Sequence, residues 1–297
     1  MLAIKFDADG SPPMIRTLEA HVATPPNSTS TSDNPILPKT CRTLWPEIDS
    51  LPPTFAVQVA PDNSWYAASK SVVDYLIAVA ILPFALLLIG FAYALVRLSS
   101  AGPGFYNQTR LGRGGKPYKI LKLRTMTYNV EKISGGPAWS QKYDTRITPV
   151  GNLLRKTHLD ELPQIFNVLM GDMSLVGPRP ERPEMIELKK LNDEVPGYAH
   201  RLLVKPGVTG LSQIQLPADS DLLSVRRKVV YDLYYIENSS FWFDMRIIVA
   251  TLMKAAGCGP TWLRRLFLLP RREVVGEVFL RHVMTPQAKV VTSLLPA

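Results

Sequence analysis

The sequence predicts a mostly helical α+β chain. A kinked apolar membrane helix near the N-terminus precedes a compact cytoplasmic domain with one small β-hairpin and amphipathic helices at the membrane surface. Three observations predict it. Val72 to Leu98 is the one membrane-length apolar run in 297 residues. Gly112-Arg113-Gly114-Gly115-Lys116-Pro117 reads as a turn between two strands, Phe105–Leu111 and Tyr118–Arg124. Leu222, Val225, Val229 and Leu233 share one helical face, and Ser239-Ser240 caps a further helix running to about Ala256.

Residues 1–69 are rich in Pro, Ser and Thr, as in T-P-P-N-S-T-S-T-S-D-N-P. Such a stretch buries too little apolar surface to offset its ordering entropy, so a disordered tail is expected. Its first ten residues mix charges and lack the apolar run of a signal peptide.

Residues 70–99 form the expected membrane segment. Unbroken, the run from Val72 would reach about 40 Å, enough to cross a hydrocarbon core of about 30 Å. Pro83 removes a backbone hydrogen bond mid-run. A sharp bend there leaves arms of about 16 and 22 Å, which dip in and return. Length alone allows either a kinked spanning helix or a re-entrant one. Charge sets the side: no Asp or Glu falls between Asp74 and Glu131, while Arg110, Arg113, Lys116, Lys119, Lys122 and Arg124 crowd the second half of that window. The positive-inside rule puts that side in the cytoplasm, and Lys70 before the run favours both ends being there.

The net charge of +9 calls for anionic partners. The basic strand lacks the interleaved aromatic platforms of single-strand binders, so nucleic acid is not expected. Cys41 and Cys258 give neither a disulfide framework nor metal-ligand spacing. No Walker loop is present, which argues against ATP use.

The stretch that carries chemistry is T-H-L-D-E-L-P-Q-I-F-N-V-L-M-G-D-M-S-L-V-G-P-R-P-E-R-P-E, Thr157 to Glu184. Pro163 suits only the first turn of a helix, so Asp160 is expected at the N-cap and Gly171 at the stop. The positive helix end would then keep Asp160 and Glu161 ionised. Pro180 holds Arg179 extended, where its guanidinium can grip a phosphate. An ordinary cap and a solvated loop use the same residues, and adjacency alone does not separate the two. A second helix is expected over Pro183–Leu191, and Pro206-Gly207 has the residues of a type II turn. Two carboxylates can hold Mg²⁺ beside substrate phosphates, and an aspartate can also be a nucleophile.

The block H-L-D-E-L-P-Q-I-F-N-V-L-M-G-D-M-S-L-V-G-P-R-P-E-R-P resembles the signature of the bacterial sugar transferases, the monotopic phosphoglycosyl transferases. The likeness runs from Lys70 to Gly257 with blocks in the same order, including K-P-G-V-T-G-L-S-Q at 205–213. It implies a catalytic domain over 100–257 on the cytoplasmic face of the bacterial inner membrane. It further implies transfer of a sugar 1-phosphate from a UDP-sugar to undecaprenyl phosphate. Asp160 would be the nucleophile, Glu161 would hold Mg²⁺ or move a proton, and Lys122, Arg124, Arg155 and Arg179 would bind phosphates. His158 is read as structural. The family hinges its re-entrant helix on a Ser-Pro pair, which is Leu82-Pro83 here. Many relatives carry Asn-Gly-Arg after the 205–213 block; this chain has Gln215-Leu216-Pro217, so any contact from that arginine is either absent or supplied elsewhere, with Arg226 and Arg227 as candidates. The alternative is a non-catalytic membrane scaffold of a polysaccharide assembly complex. Beyond the likeness, residues 258–297 are read as an extension whose W-L-R-R-L-F-L-L-P-R-R mixes basic and apolar residues as a membrane-surface anchor does.

Overall fold

The computed structural model describes residues 44–52, 65–128 and 144–284. It begins with helices α1 (Leu44–Ser50) and α2 (Trp65–Ser99), then the hairpin strands β1 (Phe105–Leu111) and β2 (Pro117–Leu123). Helix α3 (Pro149–Thr157), a 3-10 turn (Leu159–Gln164), α4 (Ile165–Leu169) and β3 (Ser174–Val176) follow. Next come α5 (Pro183–Leu188), α6 (Leu191–Glu194), another 3-10 turn (Tyr198–Leu203), β4 (Gly207–Thr209) and α7 (Leu211–Gln215). The chain then turns helical: α8 (Leu222–Asn238), α9 (Phe241–Ala255), α10 (Pro260–Leu266) and α11 (Arg272–Met284). The chain is mostly helical, as expected.

Most of the stretch read as a tail lies outside the described residues. Two pieces of that stretch are ordered, contrary to expectation. Leu44, Trp45 and Ile48 of α1 are buried. The Trp45 ring stacks on Tyr231 of α8 with centroids 6.2 Å apart, and the Arg272 guanidinium lies 4.3 Å from its centroid. Three apolar side chains within five residues suffice for this, whatever the composition around them. Helix α2 begins at Trp65, not at 70.

Among the described residues α2 is the one helix long and apolar enough to cross a membrane. It runs through Pro83 without a gap, so the bend read from the sequence is not an interruption of the helix. One stripe is buried along its length: Tyr66, Asp74, Ala78, Ala85, Ile89, Ala92 and Val96. Near its start, the Tyr66 hydroxyl donates to Asp244 of α9 at 2.7 Å, Lys70 also pairs with Asp244, and Ser174 of β3 donates to Asp74 at 2.6 Å. At its far end, Ala92 and Val96 form a core cluster with Leu123 and Leu154, closed by Tyr93, Val150 and Leu159. Both ends therefore rest on the same body, while Leu76, Phe84, Leu87 and Phe91 stay exposed.

The hairpin matches expectation: β1 and β2 are antiparallel, and Gly114 and Gly115 take the positive φ that the turn requires. The buried Asn167 of α4 ties β2 down, accepting from Leu121 N at 3.0 Å and donating to Lys119 O at 2.8 Å. A second, parallel pair joins β3 to β4. Here the backbones nearly touch: a Cβ on Gly207 would stand 2.1 Å from Gly177 N, and one on Gly210 would stand 2.2 Å from Gly177 O. Only glycine permits this approach, which seats the Gly177-Pro178-Arg179-Pro180 strut against the 205–213 block. Gly207 is thus a strand residue without positive φ, and the type II turn expected at Pro206-Gly207 does not form.

Candidate active site

The acids do not sit where the N-cap reading put them. His158, left-handed at φ 56°, ends α3 and opens the 3-10 turn, so Asp160 and Glu161 lie inside that turn together with Pro163. Gly171 does end α4, at φ 85°. With a helix of only five residues downstream, the dipole has little to offer. Side chains do the work instead.

Glu161 is the hub. Its Oε1 accepts from Lys122 Nζ at 2.6 Å and from Arg179 NH2 at 2.6 Å, while Oε2 accepts from Arg179 NH1 at 3.3 Å. Burial acts to raise its carboxyl, but Arg179 and Lys122 outweigh burial and hold it well below the usual carboxylate range. Burial also pushes the Lys122 ammonium below its ordinary value, against the pull of Glu161.

Asp160 differs. It is 8% exposed, and among the described residues no cation bonds its carboxylate. Burial, then the charge on Glu161, pushes it up to about 6, against the pull of Lys122, Arg155 and Arg179. Two adjacent carboxylates thus differ in state: one is paired with two cations and held ionised, the other lacks a cation partner among the described residues and is poised near neutrality.

The remaining expected residues divide. Lys122 and Arg179 meet at Glu161, and Arg155 is near enough to act on Asp160 while its Nε donates to Thr125 Oγ1 at 2.9 Å. Arg124 does not join them. Its NH2 donates to the Ser100 carbonyl and hydroxyl, both at 2.8 Å, so it braces the end of α2. Alternation in a strand over Tyr118–Arg124 would put it on the same face as Lys122, but it is the first residue past β2 and turns toward Ser100. Arg226 and Arg227 do not replace the missing family arginine: the first donates to the carbonyls of Asp49, Leu51 and Glu194, and the second pairs with Asp49. Lys254 of α9 turns inward to the carbonyls of Gln213 and Ile214. Sequence reasoning missed Gln213, whose Oε1 accepts from Arg179 NH1 at 3.2 Å. Its place at the end of the 205–213 block was the available signal.

A family model described as bacterial sugar transferase matches residues 65–257, which takes in every residue of this cluster. The chain belongs to that family. Among its relatives in the sugar transferase family, a UDP-N-acetylgalactosamine-undecaprenyl-phosphate N-acetylgalactosaminephosphotransferase of Aeromonas hydrophila is 40% identical over 63% of this chain and 43% of its own. A UDP-glucose:undecaprenyl-phosphate glucose-1-phosphate transferase of Klebsiella pneumoniae is 44% identical over 54% of this chain and 34% of its own. A Bacillus subtilis protein named as a putative undecaprenyl-phosphate N-acetylgalactosaminyl 1-phosphate transferase is 48% identical over 46% of this chain and 74% of its own. The chain thus spans under half the length of the Aeromonas and Klebsiella relatives. Helices α1, α10 and α11 lie outside the family match.

Proposed function

We propose that the protein transfers a sugar 1-phosphate from a UDP-sugar to undecaprenyl phosphate, releasing UMP, at the cytoplasmic face of the inner membrane in surface-polysaccharide synthesis. The names of the Aeromonas and Klebsiella relatives differ in the sugar and share the UDP-linked donor and the lipid phosphate, so those shared halves are what we assign. One observation carries the reading: a buried, unpaired carboxylate, Asp160, beside a carboxylate that gathers two cations. An Asp160 oxygen attacks the sugar-bearing phosphorus, the P–O–P bond breaks, and UMP leaves with the bonding electrons. The phosphosugar is then held on Asp160 as an acyl phosphate. An oxygen of undecaprenyl phosphate attacks the same phosphorus, frees Asp160 and forms the lipid diphosphosugar. Lys122 and Arg179, aligned by Glu161, and Arg155 meet the diphosphate charge as it redistributes. A scaffold would have no use for an ionisable group kept unpaired in a buried site.

Mg²⁺ fits a site with few protein ligands. Asp160 has free oxygens and Oε2 of Glu161 has a spare lone pair, whereas Oε1 is taken by two donors. Such a pair suits Mg²⁺, which takes one or two carboxylates and completes its shell with phosphate oxygens and water. When bound, the ion would neutralise charge on the leaving phosphate.

For the membrane we infer a re-entrant α2. The anchoring of Tyr66 and Lys70 on Asp244 and of Val96 on Leu154 in one body supports it, because a body on the cytoplasmic side can hold both ends only if both lie on that side. External protease on spheroplasts should therefore leave an N-terminal epitope uncut; cleavage would mean that α2 crosses. The exposed Trp242 of α9, at 73%, suits the head-group layer beside it.

The decisive assay screens UDP-sugars for UMP release. At least one donor should turn over only with undecaprenyl phosphate and Mg²⁺ present. Release from none of them would sink the proposal.

A further inference from the structure

Deep under the site lies a carboxylate that the reaction does not use. Asp232 of α8 is 1% exposed, and each of its oxygens is engaged. Oδ2 accepts from Arg201 Nε at 2.8 Å, and Oδ1 accepts from the Ser212 hydroxyl at 2.7 Å. Arg201 stands in the 3-10 turn over Tyr198–Leu203, its guanidinium 5.1 Å from the Tyr198 ring centroid. Its NH2 donates at 2.8 Å to the backbone carbonyl of Arg179. Ser212 directly precedes Gln213, whose side chain accepts from Arg179 NH1. The contacts close a ring: Asp232 to Arg201, to the Arg179 backbone, through the Arg179 side chain to Gln213, and by the peptide link to Ser212 and back to Asp232.

Such a ring is a costly way to fill a core. A buried ion pair gains little over well-packed apolar residues of the same volume, so stability alone does not account for it. What it does is geometric. The strut around Arg179 and the helix start around Gln213 come from segments joined by three-residue strands, too short to fix a side chain to a fraction of an ångström. One carboxylate holds both.

We propose that Asp232, acting through Arg201 and Ser212, is the positioning residue that aims Arg179 and Gln213 at a diphosphate ligand. The inference deepens the functional reading above and rests on it for the identity of the ligand. Arg201→Lys isolates the role, because an ammonium can still pair with Asp232 but has no fork to hold the Arg179 carbonyl at the same time. Ser212→Ala removes one hydrogen bond and keeps the rest.

The test measures affinity for UDP with Mg²⁺ by calorimetry on the full chain in detergent, with UMP release as a second readout. Arg201→Lys should weaken UDP by about 10- to 100-fold, since small misplacements of a clamp cost that much, and Ser212→Ala by roughly 3- to 10-fold. In an Arg179→Ala, Gln213→Ala background neither change should weaken UDP further, because both groups being aimed are gone. Equal fractional losses in both backgrounds, or unchanged affinity in both single variants, would overturn the proposal. If the wild type binds UDP with these couplings but releases no UMP from any donor, the transfer reading has failed and the positioning role stands. If the wild type does not bind UDP, both fall.

Discussion

Replacing Asp160 with Asn is expected to abolish UMP turnover, by about 10⁴-fold or more, while leaving the fold as stable as before or more so. The loss follows from removing the attacking oxygen, which neither Glu161 nor the surrounding cations can replace. The stability follows from the carboxyl's own titration. Its folded value of about 6 lies above the value of about 3.9 for an unfolded aspartate. The native state therefore binds this proton first, so stability gains as pH falls from about 6 to about 4, and above pH 6 the ionised group opposes folding. A shift of about two units amounts to at most about 3 kcal/mol. An amide carries no such penalty, so thermal unfolding of the variant at pH 7.5 should shift upward by a few degrees. The same titration predicts that wild-type kcat/KM falls as pH drops through about 6, because the nucleophile must be ionised. A variant that turns over normally refutes the assignment of the nucleophile. One that melts far below the wild type refutes the claim that this carboxylate stands unpaired.

What the sequence disclosed, and what it withheld, follows from how local each feature is. Asp160, Glu161, Arg179 and Lys122 sit in short stretches whose residue types carry their own chemistry, and the hairpin is announced by its glycine turn. Arg124 misled because strand alternation describes the strand interior, and Arg124 lies just past its end, where Ser100 captures it. The N-cap at Asp160 misled because Pro163 suits a 3-10 turn as well as a first α-turn, and His158 had already taken the left-handed corner. The three-residue strands β3 and β4 show no periodicity to detect, and their pairing is legible only as glycines at 177, 207 and 210. The link from Arg201 to Asp232 spans 31 residues, beyond the reach of any local pattern. Helix α1 is a few apolar residues within a polar stretch, below what composition can resolve.

Glu161→Gln, one residue away from the nucleophile, should behave in the opposite way. Glu161 accepts three bonds from Lys122 and Arg179, and its removal leaves two cations facing each other in a partly buried site. Deleting one partner of a buried pair costs roughly 3–5 kcal/mol when the other charge stays desolvated. Both cations here keep some solvent contact, so a loss nearer 2–3 kcal/mol is expected, measured as a lower denaturation midpoint. Turnover should fall by about 10²- to 10³-fold, less than for Asp160→Asn, since the attacking oxygen remains. The residual activity should also change its pH dependence. Burial already depresses Lys122, and Glu161 is the charge that pulls it back up. Without that charge Lys122 loses its proton at lower pH, so the variant's activity should decline at a less alkaline pH than the wild type's. Glu161→Asp, which keeps the charge on a shorter arm, should recover part of the alkaline activity. Were Glu161 a proton carrier and not the anchor of two cations, Glu161→Gln would spare stability and leave the alkaline limb where it was.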